Sequence, residues 1–179
     1  MSYQLESFTH DCHNVLKRDS GPQGREQVRV LFEKLLGNDD FVHHYCADVK
    51  PGLYVLFEDQ ELKFQVLAHV NEKARVSPPH DHGDSWAIYG QAIEFTDITE
   101  WARTDDGSKP NHAKLVSTKS YRMLRGQAAI FQDGAIHSIA YPNNSCFVRV
   151  TGTNLDQIAR NMFDLKTGAV KQMTPQRSS

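Results

Sequence analysis

Pro78-Pro79-His80-Asp81-His82-Gly83 places two histidines two residues apart. On a β-strand, side chains at i and i+2 leave the same face, so both imidazoles can reach one metal ion. A third ligand must then come from elsewhere in the chain. Gly134-Ala135-Ile136-His137 supplies the best candidate, because His137 follows a turn signal and precedes another strand-like run. Three neutral nitrogen ligands leave coordination positions open, the pattern of a reactive metal site rather than a closed structural one.

Upstream of this stretch the chain reads as helical. Leu5, Phe8, Cys12, Val15 and Leu16 recur at helical spacing, and Asp19-Ser20-Gly21-Pro22 breaks the pattern. Val28, Leu31, Phe32, Leu35 and Leu36 form a second apolar stripe that Gly37 ends, and a short third helix fits Asp39 to Cys46. After Pro51-Gly52 the texture becomes strand-like: Leu53–Glu58, Phe64–Val70, Ser85–Thr99, Ala113–Leu124, Ala128–Phe131, Ile136–Tyr141 and Cys146–Thr153. Asn161 to Val170 reads as one more strand or a helix. Many short strands divided by polar turns argue for a sandwich or barrel. The expected architecture is a single, mainly β domain over 1–179. It comprises a helical extension over 1–48, a barrel over 49–170 and a tail over 171–179.

The 179 residues suit one domain with a sizeable core, and 39% hydrophobic with 23% charged residues is ordinary for a soluble globular chain. A formal net charge of -2 argues against nucleic acid or an anionic membrane surface as the main partner. No apolar run approaches the ~18 residues of a membrane span. Met1-Ser2-Tyr3-Gln4-Leu5-Glu6 lacks the layout of a signal peptide. Cys12, Cys46 and Cys146 are odd in number and widely spaced, which argues for free thiols in a cytoplasmic setting.

The histidine motifs resemble those of the cupin superfamily. In its second motif Gly126, Gly134 and His137 match, while Gln132 and Tyr141 stand where proline and asparagine are expected. In the first motif His80 and His82 match, Ala74 replaces the opening glycine, and the acidic ligand's place falls on Trp86 or Ala87. The resulting three-histidine set, with the helical extension, resembles the cysteine-dioxygenase-like, or thiol dioxygenase, branch over roughly residues 25–155. The resemblance implies a cupin double-stranded β-helix (a jelly-roll barrel), Fe(II) as cofactor with Zn, Ni or Mn as alternatives, O2 as co-substrate, and a homodimer as one option. Several features of that branch are missing. The cross-linking cysteine's place is Ala87, the histidine–tyrosine relay falls near Thr151 and Thr153, and the substrate arginine falls near Tyr54 or Leu56.

Such a site suits a small anionic substrate that fills two open positions on the metal and leaves a third for O2. Arg149, between Val148 and Val150 on a late strand, requires a carboxylate or another anion nearby and is the candidate replacement for the missing arginine. Tyr54, Trp86 and Tyr89 are the other substrate-binding candidates; no catalytic residue beyond the metal ligands is assigned. Asp81, between the ligands, is expected to act as an anchor. His10, His13, His43, His44, His69 and His112 are read as surface or packing residues. Two other classes remain open: a metal-dependent lyase, isomerase or ring-cleaving oxygenase on a non-thiol acid, and a non-catalytic metal- or ligand-binding barrel.

Overall fold

The structure, a computed structural model, describes residues 3–174. Its helical part comprises α1 (Leu5–Arg18), α2 (Pro22–Leu36) and α3 (Asp39–Val42), the last running into a π-helical turn at His43–Ala47. Pro22 occupies the first turn of α2, where its missing N–H costs nothing, and the Asn38 side chain accepts from the Asp40 amide to start α3. Phe8, Cys12 and Leu16 of α1 face Val28, Phe32 and Leu35 of α2 in one buried cluster, with Phe8 and Phe32 stacked at 5.4 Å.

Eleven strands follow: β1 (Gly52–Glu58), β2 (Gln65–Asn71), β3 (Arg75–Val76), β4 (Ala87–Ile93), β5 (Phe95–Arg103), β6 (Leu115–Leu124), β7 (Ala128–Phe131), β8 (Ile136–Tyr141), β9 (Ser145–Thr151), β10 (Arg160–Phe163) and β11 (Val170–Met173). One sheet has the order β1-β2-β9-β4-β7 and the other β3-β8-β5-β6, with antiparallel pairing throughout. From β2 to β9 the chain crosses between the sheets at every step but one, the β5–β6 hairpin, which makes the molecule a mainly β jelly-roll barrel with an N-terminal helical extension.

Ser85–Thr99, expected as one strand, is two. Glu94 adopts a left-handed φ of 63° between β4 and β5, and the chain crosses there from one sheet to the other. The expected tail at 171–179 also starts too early, because Val170–Met173 pairs with Arg160–Phe163 as a hairpin. Pro175–Ser179 lie outside the described residues.

Apart from the exposed edge strand β1, the five-stranded sheet is buried on both faces. Val66, Ala68, Ile88, Cys146, Val148 and Val150 join the helices in one core, while Ala87, Tyr89, Phe131 and Phe147 join Ile98, Met123 and Ile139 inside the barrel. Gly90 lets α2 lie flat on the sheet: a Cβ there would sit 2.5 Å from Leu36 and 2.6 Å from Phe32. The extension is therefore the outer wall of the five-stranded sheet, not an appendage. Among the described residues no helix is long and apolar enough to cross a membrane. All three cysteines are free and buried.

Candidate metal centre

The H-x-H stretch lies not on a strand, as its spacing predicts, but in the connection between β3 and β4. It is held as firmly as a strand. The His80 amide donates to the His137 carbonyl at 2.9 Å and the His137 amide to the His80 carbonyl at 3.0 Å. This two-way pair sets the first and third ligands opposite each other. Gly83 turns the chain away at φ 58°, where a Cβ would meet the Ala159 carbonyl oxygen at 2.2 Å. Its own carbonyl accepts from the Gly134 amide at 3.0 Å. Two glycine turns distant in sequence are thus bonded together, one just after His82 and the other just before His137.

Asp81 is buried on the opposite side and accepts hydrogen bonds from the Gly83 amide (3.0 Å), the Asn161 amide (2.9 Å) and Asn161 Nδ2 (2.8 Å). It fastens the connection to β10, the anchoring role expected of it. Asp81→Ala orphans three donors, each worth about 1–3 kcal/mol when buried. The expected result is a loss of at least about 2 kcal/mol in chemical denaturation. Metal affinity should fall about 10–100-fold, as when the groups that orient ligands are removed. Asp81→Asn, which keeps an acceptor oxygen, should fall between.

His80, His82 and His137 converge with one ligand nitrogen each, all within 4.8 Å of one another. Their ring centroids lie 4.6–5.5 Å apart. His80 Nδ1 sits 3.0 Å from the Pro78 carbonyl; the donating tautomer leaves Nε2 free for a metal. His82 Nε2 lies 3.2 Å from the Tyr89 hydroxyl, and its Nδ1 has no partner. Neither nitrogen of His137 has a side-chain partner, and its ring stacks on Phe131 at 3.9 Å. Burial pushes the His82 and His137 pKa values well down, and the neighbouring imidazole and Arg149 add to the effect. Burial likewise lowers His80. Burial favours the neutral rings, and apart from the Tyr89 hydroxyl beside His82 Nε2 no side chain donates to their lone pairs. Such orphaned atoms fit a divalent ion that takes nitrogen ligands.

No carboxylate joins the cluster among the described residues. Ala87, one of the two positions where the resemblance places an acidic ligand, points its methyl group into the barrel. The ligand set is therefore neutral.

Of the four substrate candidates, the structure brings two to the triad. Tyr89 faces inward, 5.4 Å from His137 ring to ring and stacked on Phe147. Arg149 pairs in register with Leu67 and with Tyr89, so its side chain shares their inner face, and its guanidinium lies 5.9 Å over the Tyr89 ring. Its Nε is buried without a partner, and no acidic residue pairs with it among the described residues. Tyr54 and Trp86 are corrections. Tyr54 pairs with Ala68, which faces the helices; it is 37% exposed and donates to the Lys50 carbonyl. Trp86 packs among the helices, with the Arg25 guanidinium over its ring.

Two further residues stand near the site, and one of them, His69, departs from the surface or packing role expected of it. His69 on β2 shares the inner face, stacked on Phe147 at 4.4 Å, and its Nε2 is buried and unpartnered. Arg160 on β10 reaches far enough for its charge to depress His80 and His82, and it donates to Asp156 at 3.3 Å. The two-residue period joins Gln65, Leu67 and His69 on one face of β2, but only strand pairing tells which face is inner. A separate apolar groove of about 730 Å3 runs past Pro78, Pro79, Trp101 and Met162 on the outer side of the four-stranded sheet, and no member of the triad lines it.

The strand order and the cluster define a class: a jelly-roll barrel with three convergent imidazoles able to take one metal ion. No protein-family model matches the sequence, and no curated protein matches it. Among solved structures, the chain is similar to KdgF from Halomonas sp. (15% identity, 58% of this chain and 82% of that one, TM-score 0.41). It is also similar to the cupin domain of Cnp3 from Schizosaccharomyces pombe (12%, 60% and 71%, TM-score 0.44). A third is hydroquinone 1,2-dioxygenase from Sphingomonas sp. TTNP3 (9%, 64% and 74%, TM-score 0.45). The chemistry rests on this chain's own residues.

Proposed function

We propose that the protein is a mononuclear non-haem iron oxygenase that adds O2 to a small thiol-bearing acid. The observation that carries this reading is a neutral three-imidazole set beside an interior arginine with no acid partner. A divalent ion held by neutral ligands keeps its full charge, and Arg149 adds another, so the site favours an anionic substrate. His80, His82 and His137 would hold the ion, which when bound as Fe(II) supplies redox chemistry toward O2 and acidifies a coordinated thiol.

The chain's own residues do the rest. Arg149 pairs with the acid group and thereby orients the reacting end toward the histidines. Tyr89 braces His82 through its hydroxyl, and Phe131 and Phe147 keep water from the cluster. We place this activity in the cytoplasm, on a free small molecule, with neither nucleic acid nor membrane as a partner.

The test is anaerobic loading with Fe(II), followed by oxygen uptake with a panel of thiol-bearing acids. The expected result is uptake that depends on both iron and thiol, with a sulfinic acid product carrying both atoms of O2. Iron-loaded protein that consumes no O2 with any thiol would sink the thiol claim. Arg149 would serve the acid group of a non-thiol substrate equally well. Turnover of such an acid with Zn, Ni or Mn in the absence of O2 would then favour a lyase or isomerase.

A further inference from the structure

His69 and Arg149 form a pair that the metal reading leaves unused. Leu67 pairs with Arg149 and His69 with Phe147, so His69 and Arg149 are diagonal neighbours on one inner face. That relation spaces their Cα atoms about 7–8 Å apart, within reach of long side chains. Both His69 Nε2 and Arg149 Nε are buried, and neither has a hydrogen-bond partner, so they do not satisfy each other. Around them the wall is apolar and aromatic: Leu67, Tyr89 and Phe147. Two adjacent polar groups left unpaired in such a wall cost stability unless a ligand meets them.

We infer that His69 and Arg149 together form a carboxylate subsite, in which Arg149 supplies the charge and His69 Nε2–H donates to one carboxylate oxygen. The inference deepens the proposed function, since it rests on a substrate with an acid group, and it adds a residue and a class. Burial, and then the Arg149 charge, hold His69 well below its usual pKa, so the pair carries a single positive charge. A monoanionic carboxylate matches that charge, whereas a phosphate dianion would leave one negative charge uncompensated. The neutral amide of the same acid has no charge to pair with Arg149 and should be rejected.

The probe is propionate, with propionamide as its uncharged counterpart, titrated into the full-length protein by calorimetry with and without bound metal. Propionate should bind in both forms and propionamide in neither. Arg149→Met should weaken propionate at least about tenfold, the scale of a lost charged hydrogen bond. His69→Phe, which keeps the stack on Phe147 but removes the donor, should weaken it about fivefold, and His69→Gln should restore most of that loss. A second readout needs no variant: the His69 ring proton resonances of the wild-type protein should shift on titration with propionate. Unchanged affinity in His69→Phe, binding that vanishes when the metal is removed, or unmoved His69 resonances would each overturn the subsite. Propionate carries no thiol and the titration needs no O2, so failure of the oxygenase reading and failure of the subsite are separable.

Discussion

Protein carrying His137→Ala should be purified without its metal, at less than about one hundredth of the wild-type affinity. Removing groups that merely orient a ligand costs about 10–100-fold, and removing one of three ligands costs more. His137 is fully buried at the centre of the cluster, against Phe131, and no fourth histidine, cysteine or carboxylate joins the group among the described residues. His82→Ala should behave alike. His10→Ala, on the exposed side of α1, should leave the metal content unchanged. Metal analysis on folded protein, checked by thermal unfolding, decides the matter. Wild-type metal content in the His137 variant would refute the three-histidine site.

Metal-free protein should lose stability steeply as the pH falls below about 6.5. His82 and His137 have pKa values lowered in the folded state by burial, whereas in the unfolded chain they titrate near 6.5. Above that value neither state binds these protons, and the stability they contribute is complete. Below it the unfolded chain takes up protons that the folded chain refuses, so stability falls as the pH moves from 6.5 toward the folded pKa values. Each such proton is worth about 1.4 kcal/mol per pH unit, so the two fully buried rings together give a slope approaching about 3 kcal/mol per unit. Urea midpoints from pH 8 to 5 should trace this slope. A metal at 100 times its Kd adds about 2.7 kcal/mol and should move the loss to lower pH. A flat profile between pH 6.5 and 5 in metal-free protein would mean that the triad is not buried as described.

The ligands were legible because their chemistry is local. H-x-H and the glycine turn before His137 are short patterns whose residue types have few other uses in combination. Face assignment was only partly legible. Trp86 and Tyr89 stand three residues apart, and a period of two already sends them to opposite faces of a strand. Only one of them could line the site, yet parity alone does not say which. The pairing of Tyr89 with Arg149 and of Ile88 with Val150 places Tyr89 and Arg149 inside, and Ile88 outside under the helices. Tyr54 fell on the helix-facing side by the same parity, through its pairing with Ala68.

His69 shows the limit of local reading most clearly. In sequence it is one histidine in an apolar strand, and packing is the commoner fate of such a residue. Its significance comes from Arg149, eighty residues downstream in β9, whose register sets a cation beside an unpaired ring nitrogen. The break of the long strand at Glu94 was equally hidden, because Glu94 carries no turn signature and its left-handed φ is imposed by the crossing between sheets.

From its residue pattern alone, then, this chain specifies a helical start, a barrel of short strands and a three-histidine donor set. Periodicity, turn chemistry and ligand type are properties of neighbouring residues. Which side of each strand is interior, and hence which polar groups stand unpaired beside the metal site, was decided by tertiary structure. A two-residue period leaves two equivalent faces until another strand pairs with it and a helix covers one of them.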